Sequence, residues 1–243
     1  MKILQLNIWG GKLGKQILEV LDREKPDIVC FQEVVVFPDD KEGDLFFSTL
    51  KKFERRGNFS SCFFSPVFGF SYMNRKAEFG NAVISTVPFR ETNSVFTRKE
   101  YIEDQDMLDG DFNIRNLQHV VIDNGKNLLH ILNHHGHHIP DHKNGDEETI
   151  RQCKMLVEYI AKLEGSIVLC GDFNLEPHSD SLQLVNKVLV NHVKERGIIS
   201  TRTPLTHKTE ACDYIFTSPD IVVKDFQVLD DIASDHKALT VEF

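Results

Sequence analysis

A chain of 243 residues with 41% hydrophobic and 27% charged side chains is long and apolar enough for a packed core, which excludes disorder. The 37 acidic against 28 basic side chains leave a net charge of −9, which argues against capture of long nucleic acid or an anionic membrane by the whole surface. Five scattered cysteines (Cys30, Cys62, Cys153, Cys170, Cys212) lack any C-x-x-C spacing and are odd in number, so cytosolic thiols, mostly buried, are expected rather than a disulfide scaffold. No apolar run approaches the roughly 18 residues of a membrane span. The stretch after Met1-Lys2 is broken by Gln5 and Asn7, so neither a signal peptide nor a membrane anchor is expected, and the cytoplasm is the expected location.

In chain order, residues 2–9 alternate as a strand and Gly10-Gly11 make a turn. Leu13, Ile17, Val20 and Leu21 share one face of a helix that Pro26 stops. Residues 27–31 form a short buried strand, so the chain opens as a β-α-β crossover. Strands follow at 59–64, 80–85 and 89–96, then a charged excursion over 97–112. Residues 112–122 and 127–133 pair around Asp123-Asn124-Gly125, whose Asn-Gly favours a positive-φ turn. Ile150, Cys153, Leu156, Val157, Ile160 and Leu163 mark a helix with Asp146, Glu147 and Glu148 at its start. A strand at 166–170, a helix at 182–190 and strands at 214–217, 221–229 and 238–243 complete the pattern. No linker or repeat interrupts it, so one α/β domain spanning 1–243 is expected, with two sheets faced by helices.

The informative residues are polar ones that end these apolar strands. Asn7 ends the first and Glu33 the second; His135 follows Asn133, Asp172 and Asn174 follow Gly171, and Asp235-His236 precede the last strand. Such ends would collect at one edge of the sheets. Carboxylates and an amide oxygen suit a hard divalent cation such as Mg²⁺, and imidazoles suit proton transfer or hydrogen bonding to phosphate near neutral pH.

Leu6-Asn7, Phe31-Gln32-Glu33, Asn133-His134-His135, Gly171-Asp172-Phe173-Asn174, Asp213-Tyr214-Ile215 and Ser234-Asp235-His236 occur in this order along the chain. The combination resembles the endonuclease/exonuclease/phosphatase superfamily, with its deoxyribonuclease I-like fold, over essentially the whole length. Any one element is common by chance; six in order are not. The resemblance implies a four-layer α/β sandwich, two packed mixed β-sheets flanked by helices. It implies that Asn7 and Glu33 hold Mg²⁺, for which Mn²⁺ substitutes, with Asp235 in or beside the shell. Asp172 would orient or deprotonate the attacking water, Asn174 position it, and His236 hydrogen-bond the scissile phosphate with its tautomer fixed by Asp213. His135 would be a second imidazole, and Glu78 sits where some members place a carboxylate orienting it. The implied activity is hydrolysis of a phosphodiester, in a nuclease or a small-molecule phosphodiesterase, by in-line attack of water. Phosphomonoesters and sphingomyelinase-type phospholipids are the alternatives within the superfamily. A phosphate-ester substrate and a monomer are expected, and the absence of a basic stripe favours a small or single-stranded substrate over a duplex.

A reading of another class comes from His134, His135, His137, His138 and His142, which fall within nine positions. In an extended segment His135 and His137 share a face and would chelate Zn²⁺ or Ni²⁺ in a histidine-rich metal-binding module. No cysteine lies near them, and a substrate-facing or solvated loop is preferred for His137, His138 and His142. Phe63, Phe64, Phe68, Phe70 and Tyr72, near Arg75 and Lys76, suit an aromatic rim or ordinary core packing equally. Trp9 is placed to line the cleft. Lys51, Lys52, Arg55 and Arg56 read as a solvated helix face, and Arg202 and Lys208 as substrate contacts.

Overall fold

The computed structural model of the chain describes residues 1–37, 50–108, 110–125 and 127–243, so Asp109 of the charged excursion lies outside the described residues. Strand β1 (Lys2–Asn7) shows why the two-sheet pattern arises. Its alternate residues Leu4 and Leu6 pack outward under helix α1 (Gly14–Glu24), while Ile3, Gln5 and Asn7 face inward toward a second sheet. Strand β2 (Ile28–Val36) repeats this, with Val29 and Phe31 outward and Ile28, Cys30 and Gln32 inward. Helix α1 closes where Lys25 takes a left-handed conformation, its N–H bonded to the Leu21 carbonyl, just before Pro26. Helix α2 (Leu50–Arg56) packs Leu50 and Phe53 on the same outer face and leaves Lys51, Lys52, Arg55 and Arg56 exposed.

Strands β3 (Ser61–Tyr72) and β4 (Arg75–Ser85) form a hairpin longer than the sequence pattern predicts. Pro66 resembles a strand breaker, but it sits at a register shift against β4, where its missing N–H costs no ladder bond. Met73 and Asn74 turn the hairpin at positive φ. Next come β5 (Glu91–Arg98), β6 (Arg115–Asp123), β7 (Leu128–His135), α3 (Glu147–Ile160) and β8 (Ser166–Asp172). Helix α3 starts in a capping box between Asp146 and Thr149. The predicted helix at 182–190 is shorter and split into α4 (Asp180–Asn186), the two-residue β9 (Val190–Asn191) and α5 (His192–Glu195), because Asn191 caps a new helix. Strands β10 (Asp213–Thr217), β11 (Asp225–Val228) and β12 (Leu239–Glu242) complete the chain.

Two mixed six-stranded sheets result, in the orders β11-β12-β1-β2-β4-β3 and β5-β6-β7-β8-β10-β9. They pack as a four-layer α/β sandwich with helices on the outer faces, as expected. The parallel pairs β1–β2 and β7–β8 end at the same rim of the sandwich. There Asp213 at the start of β10 pairs with Asp172 at the end of β8, and β12 runs antiparallel to β1, which brings residues 234–236 to the same rim. Among the described residues, no helix is long and apolar enough to cross a membrane.

Candidate active site

Backbone distortions aim the rim residues inward. Glu33 sits at a bulge between β2 and β4 with φ 57°, a strained conformation for glutamate. Gly171 has φ 150°, and a Cβ there would lie 1.8 Å from the His134 carbonyl oxygen, so only glycine lets β8 approach β7 just before Asp172. Asn174, at φ 55°, donates its N–H to Asp172 Oδ1 at 2.9 Å, an Asx-type turn.

These devices converge on Asp172, which is 2% exposed. Its Oδ2 lies 3.6 Å from His236 Nε2, 3.8 Å from His135 Nε2 and 3.1 Å from Asn7 Nδ2, which donates to it. Asn7 Nδ2 also donates to Glu33 Oε1 at 3.1 Å, and Glu33 Oε1 lies 3.9 Å from His135 Nε2. On its far side His236 Nδ1 donates to both oxygens of Asp213, at 2.9 and 3.0 Å. Asp235 Oδ2 stands 3.9 Å from His236 Nε2 and 3.6 Å from Arg202 Nη1. The structure therefore brings together Asn7, Glu33, His135, Asp172, Asn174, Asp213, Asp235 and His236. Glu78 is not brought to His135: its neighbour Phe79 faces the cleft, while Glu78 accepts from Tyr101 Oη at 3.2 Å.

The charges divide along the site. Burial pushes His236 down, but Asp213 and Asp172 outweigh it and hold the imidazole well above its ordinary value. The Arg202 guanidinium contacts Nε2 and opposes protonation there, yet it is itself paired with Asp235, so two carboxylates against one shared cation favour the imidazolium. Burial likewise pushes Asp172 up, but His236, His135, Arg202 and Lys143 hold it well below the usual carboxylate range. His135 goes the opposite way from His236: burial and the nearby Arg115 push it well below its ordinary value, so it is neutral at pH 7. Glu33 is raised chiefly by burial; the Asn7 bond and His236 pull it down, and Asp235 and Asp172 add a smaller push upward. Three carboxylates, Glu33, Asp172 and Asp235, thus crowd one rim. That observation and the oxygen-only donors of Glu33 and Asp235 fit a hard divalent cation.

The histidine-rich reading does not gather. His137 Nε2 faces Asp146 at 3.6 Å, His138 Nε2 faces Lys208 Nζ at 3.2 Å, and His142 is exposed. A different ligating group, Asp172, Cys212, Asp213 and His236, lies within 4.8 Å, but it is the buried acid–imidazole pair with a thiol that burial and Asp213 push up to about 12. Cys212 Sγ and His236 Nδ1 already donate to Asp213 there.

Sequence reading missed three residues. Arg115, at the start of β6, is buried and held at about 10 by that burial despite Glu33 and Asp172; its Nε donates to the Gly136 carbonyl at 2.7 Å. Buried Lys143 donates to Asn174 Oδ1 at 2.8 Å. Thr201 donates to Asp213 Oδ2 at 2.6 Å. None stands in a spacing pattern. Arg202 and Lys208, together with Trp9, border a polar cavity of about 170 Å³ over Asp172.

Partly exposed carboxylates gathered beside a buried, carboxylate-backed imidazole, at one rim of a two-sheet sandwich, suit a hydrolytic class of site. The profile of the Endonuclease/Exonuclease/phosphatase family matches residues 4–236, and the chain belongs to that family, whose members hydrolyse phosphate esters. Among solved structures, an endonuclease/exonuclease/phosphatase from Beutenbergia cavernae is similar with a TM-score of 0.75 and 18% identity, covering 99% of this chain and 70% of that one. A mannosyl-6-phosphatase from Bacteroides thetaiotaomicron gives 0.68 at 18% identity, over 100% and 98%. The human Nocturnin catalytic domain gives 0.66 at 19% identity, over 99% and 92%. At these identities the likeness is one of fold. No curated protein sequence matches.

Proposed function

We propose that the protein is a divalent-metal-dependent phosphodiesterase whose catalytic unit spans residues 1–243. The observation that carries this is Asp172 Oδ2 within 4 Å of both His135 and His236, with Asp213 behind His236. One carboxylate, two imidazoles and a backing acid are what positioning a water on a phosphate requires, since phosphoryl transfer leaves the protein little covalent work.

Asp172 aligns the attacking water and takes its hydrogen bond, while Asn174, fixed by Lys143, supplies an amide edge beside it. His236, charged because of Asp213, donates from Nε2 to a phosphate oxygen, and Arg202 beside it suits the negative charge of that phosphate. Neutral His135 donates a hydrogen bond rather than a charge. Glu33, with Asn7 and Asp235 beside it, would hold the Mg²⁺, which when bound draws charge off the phosphate oxygens. Arg115, Arg202 and Lys208 around the polar cavity suit the remaining negative charge.

Hydrolysis of bis-p-nitrophenyl phosphate tests this. Turnover with Mg²⁺ or Mn²⁺, none in EDTA, and loss in Asp172→Asn are expected. Equal turnover in EDTA, or in the Asp172 variant, would sink the reading. The three cations also suit a dianionic monoester, and faster release from p-nitrophenyl phosphate than from the diester would favour a phosphomonoesterase.

A further inference from the structure

Next to the polar cavity lies a second one of about 450 Å³ that nothing in the proposed chemistry uses. The two share a border of Trp9, Glu33, Arg115 and His135, whereas Asp172, Asn174 and His236 border only the polar one. The larger cavity is walled by rings. Phe68, Phe70 and Tyr72 lie at alternate positions of β3 and so present one face. Phe79 stacks on Phe68 with centroids 4.9 Å apart and planes 10° from parallel, and Phe112 meets Phe68 edge-on at 5.9 Å. Away from the shared border the polar residues are few: Tyr72, Ser71, and Lys12, whose Nζ sits 3.7 Å over the Trp9 ring.

We propose that this aromatic cavity seats a flat, uncharged ring carried on the departing side of the ester. The inference rests on the phosphate site argued above. A wall of five rings, Phe68, Phe70, Tyr72, Phe79 and Phe112, favours ring over chain, because aromatic rings gain from offset and edge-to-face contacts that a flexible alkyl group lacks. A wall with so few hydrogen-bonding groups penalises a charged occupant. The side follows from in-line geometry. Water aligned by Asp172 attacks from the polar cavity, so the breaking bond points away from Asp172, toward the border made by His135, Glu33 and Arg115. The water oxygen bonds phosphorus as the bond to the ring-bearing oxygen breaks. That oxygen keeps the electron pair and gains a proton as the water gives one up, so diester plus water yields monoester plus alcohol.

Trp9 is the chain's single tryptophan, so its fluorescence reports occupancy without turnover. The protein would be titrated with benzylphosphonate, a thymine-bearing phosphonate, hexylphosphonate and methylphosphonate, with Mn²⁺ and with EDTA. At least one ring-bearing probe should bind about tenfold tighter than the hexyl and methyl probes; which one does so separates an aryl from a nucleobase source. Phe112 and Met107 are 39% and 45% exposed, so Phe112→Ala combined with Met107→Ala should fold normally. This pair should erase most of the ring preference and leave methylphosphonate unchanged. Hexyl binding as tight as ring binding, or a preference untouched by the double variant, overturns the proposal. Benzyl methyl phosphate, whose two alcohols are near-equal leaving groups, tests the side: benzyl alcohol is expected, and methanol overturns the placement. Ring binding without turnover of any ester would keep the ring site and remove the hydrolase reading; turnover without ring preference would do the reverse.

Discussion

Asp213→Asn separates charge from shape at the centre of the site. Asp213 is fully buried, and its two oxygens accept from His236 Nδ1, Thr201 Oγ1 and Gln5 Nε2. At 2.9 Å, opposite unit charges in an effective dielectric of about 20 attract by about 6 kcal/mol, an upper bound because the imidazolium charge is spread over the ring. Half of that, about 3 kcal/mol, corresponds to a rate loss of about 10²-fold if the imidazolium acts in the transition state. A wrong tautomer deepens the loss, as in the Ser-His-Asp triad, where the equivalent change costs about 10⁴. The variant should therefore lose 10²-fold or more in kcat, and the limb of the pH–rate profile belonging to His236 should move to lower pH. The sequence alone suggests that folding is unaffected. The structure corrects this: asparagine has one acceptor oxygen for three donors, so a buried donor is left facing an NH₂, at about 1–3 kcal/mol and several degrees of thermal midpoint. Stopped-time assays across pH, with calorimetry on the same samples, decide it. Near-normal kcat with an unmoved limb would return Asp213 to a purely structural role.

Three further outcomes are expected. Glu33 has its folded value raised above the ordinary one, so the folded state loses stability as pH rises through that raised value, and a bound cation restores it. At neutral pH, Mn²⁺ at a hundred times its Kd should then add about 2.7 kcal/mol, and Glu33→Gln should raise the metal-free thermal midpoint while abolishing the Mn²⁺ effect; an undiminished Mn²⁺ shift in the variant would refute Glu33 as a ligand. Arg115→Met removes the Gly136 carbonyl bond and a cation beside Glu33 and Asp172, and should cut kcat/KM by about 10²-fold with diester substrates, whereas loss below about threefold would leave Arg115 structural. His134 is lowered from 6.5 to about 4 by burial, so its stabilising effect is complete above pH 6.5 and is lost as pH falls toward 4, about 3 kcal/mol in all. Urea midpoints at pH 7.5 and 4.5 check this, with His134→Gln expected to flatten the difference.

Much of this was legible because strand alternation is a local rule. Once Leu4 and Leu6 are outward, Asn7 must face inward, and the same holds for Phe31 against Gln32. The rim residues therefore came from spacing and motif order. The β3–β4 hairpin outruns the expected strands at 59–64 and 80–85, and Pro66 does not end β3 because it falls where the register shifts against β4. Glu78 followed family position, but side-chain direction along β4 is set one residue at a time, and Phe79 takes the cleft side. Arg115, Lys143 and Thr201 were invisible for a different reason. Each acts through a partner distant in sequence, and no single-chain pattern records such pairings.

The layer between the sheets explains why those partners are needed. Along β1 and β2 the inward residues change from apolar to amide to rim residue: Ile3, Gln5, Asn7 and Ile28 or Cys30, Gln32, Glu33. Gln5 Nε2 donates to Gln32 at 2.8 Å and to Asp213 at 3.2 Å; Gln32 Nε2 donates to Asn133 at 2.6 Å; Asn133 Nδ2 donates to Gln118 at 3.1 Å. This chain of amides reaches from the second sheet to the acid behind His236. An ionised carboxylate placed directly on apolar core would neutralise itself by taking up a proton, because burial without donors costs several kcal/mol. Asp213 accepts there from the Gln5 amide, the Thr201 hydroxyl and His236 Nδ1, so both its oxygens are partnered where water cannot reach them, and the acid holds His236 in its protonated, correctly oriented form. The interior of the sandwich is thus polar in one direction for a functional reason: the catalytic rim extends inward as far as its electrostatics must be anchored.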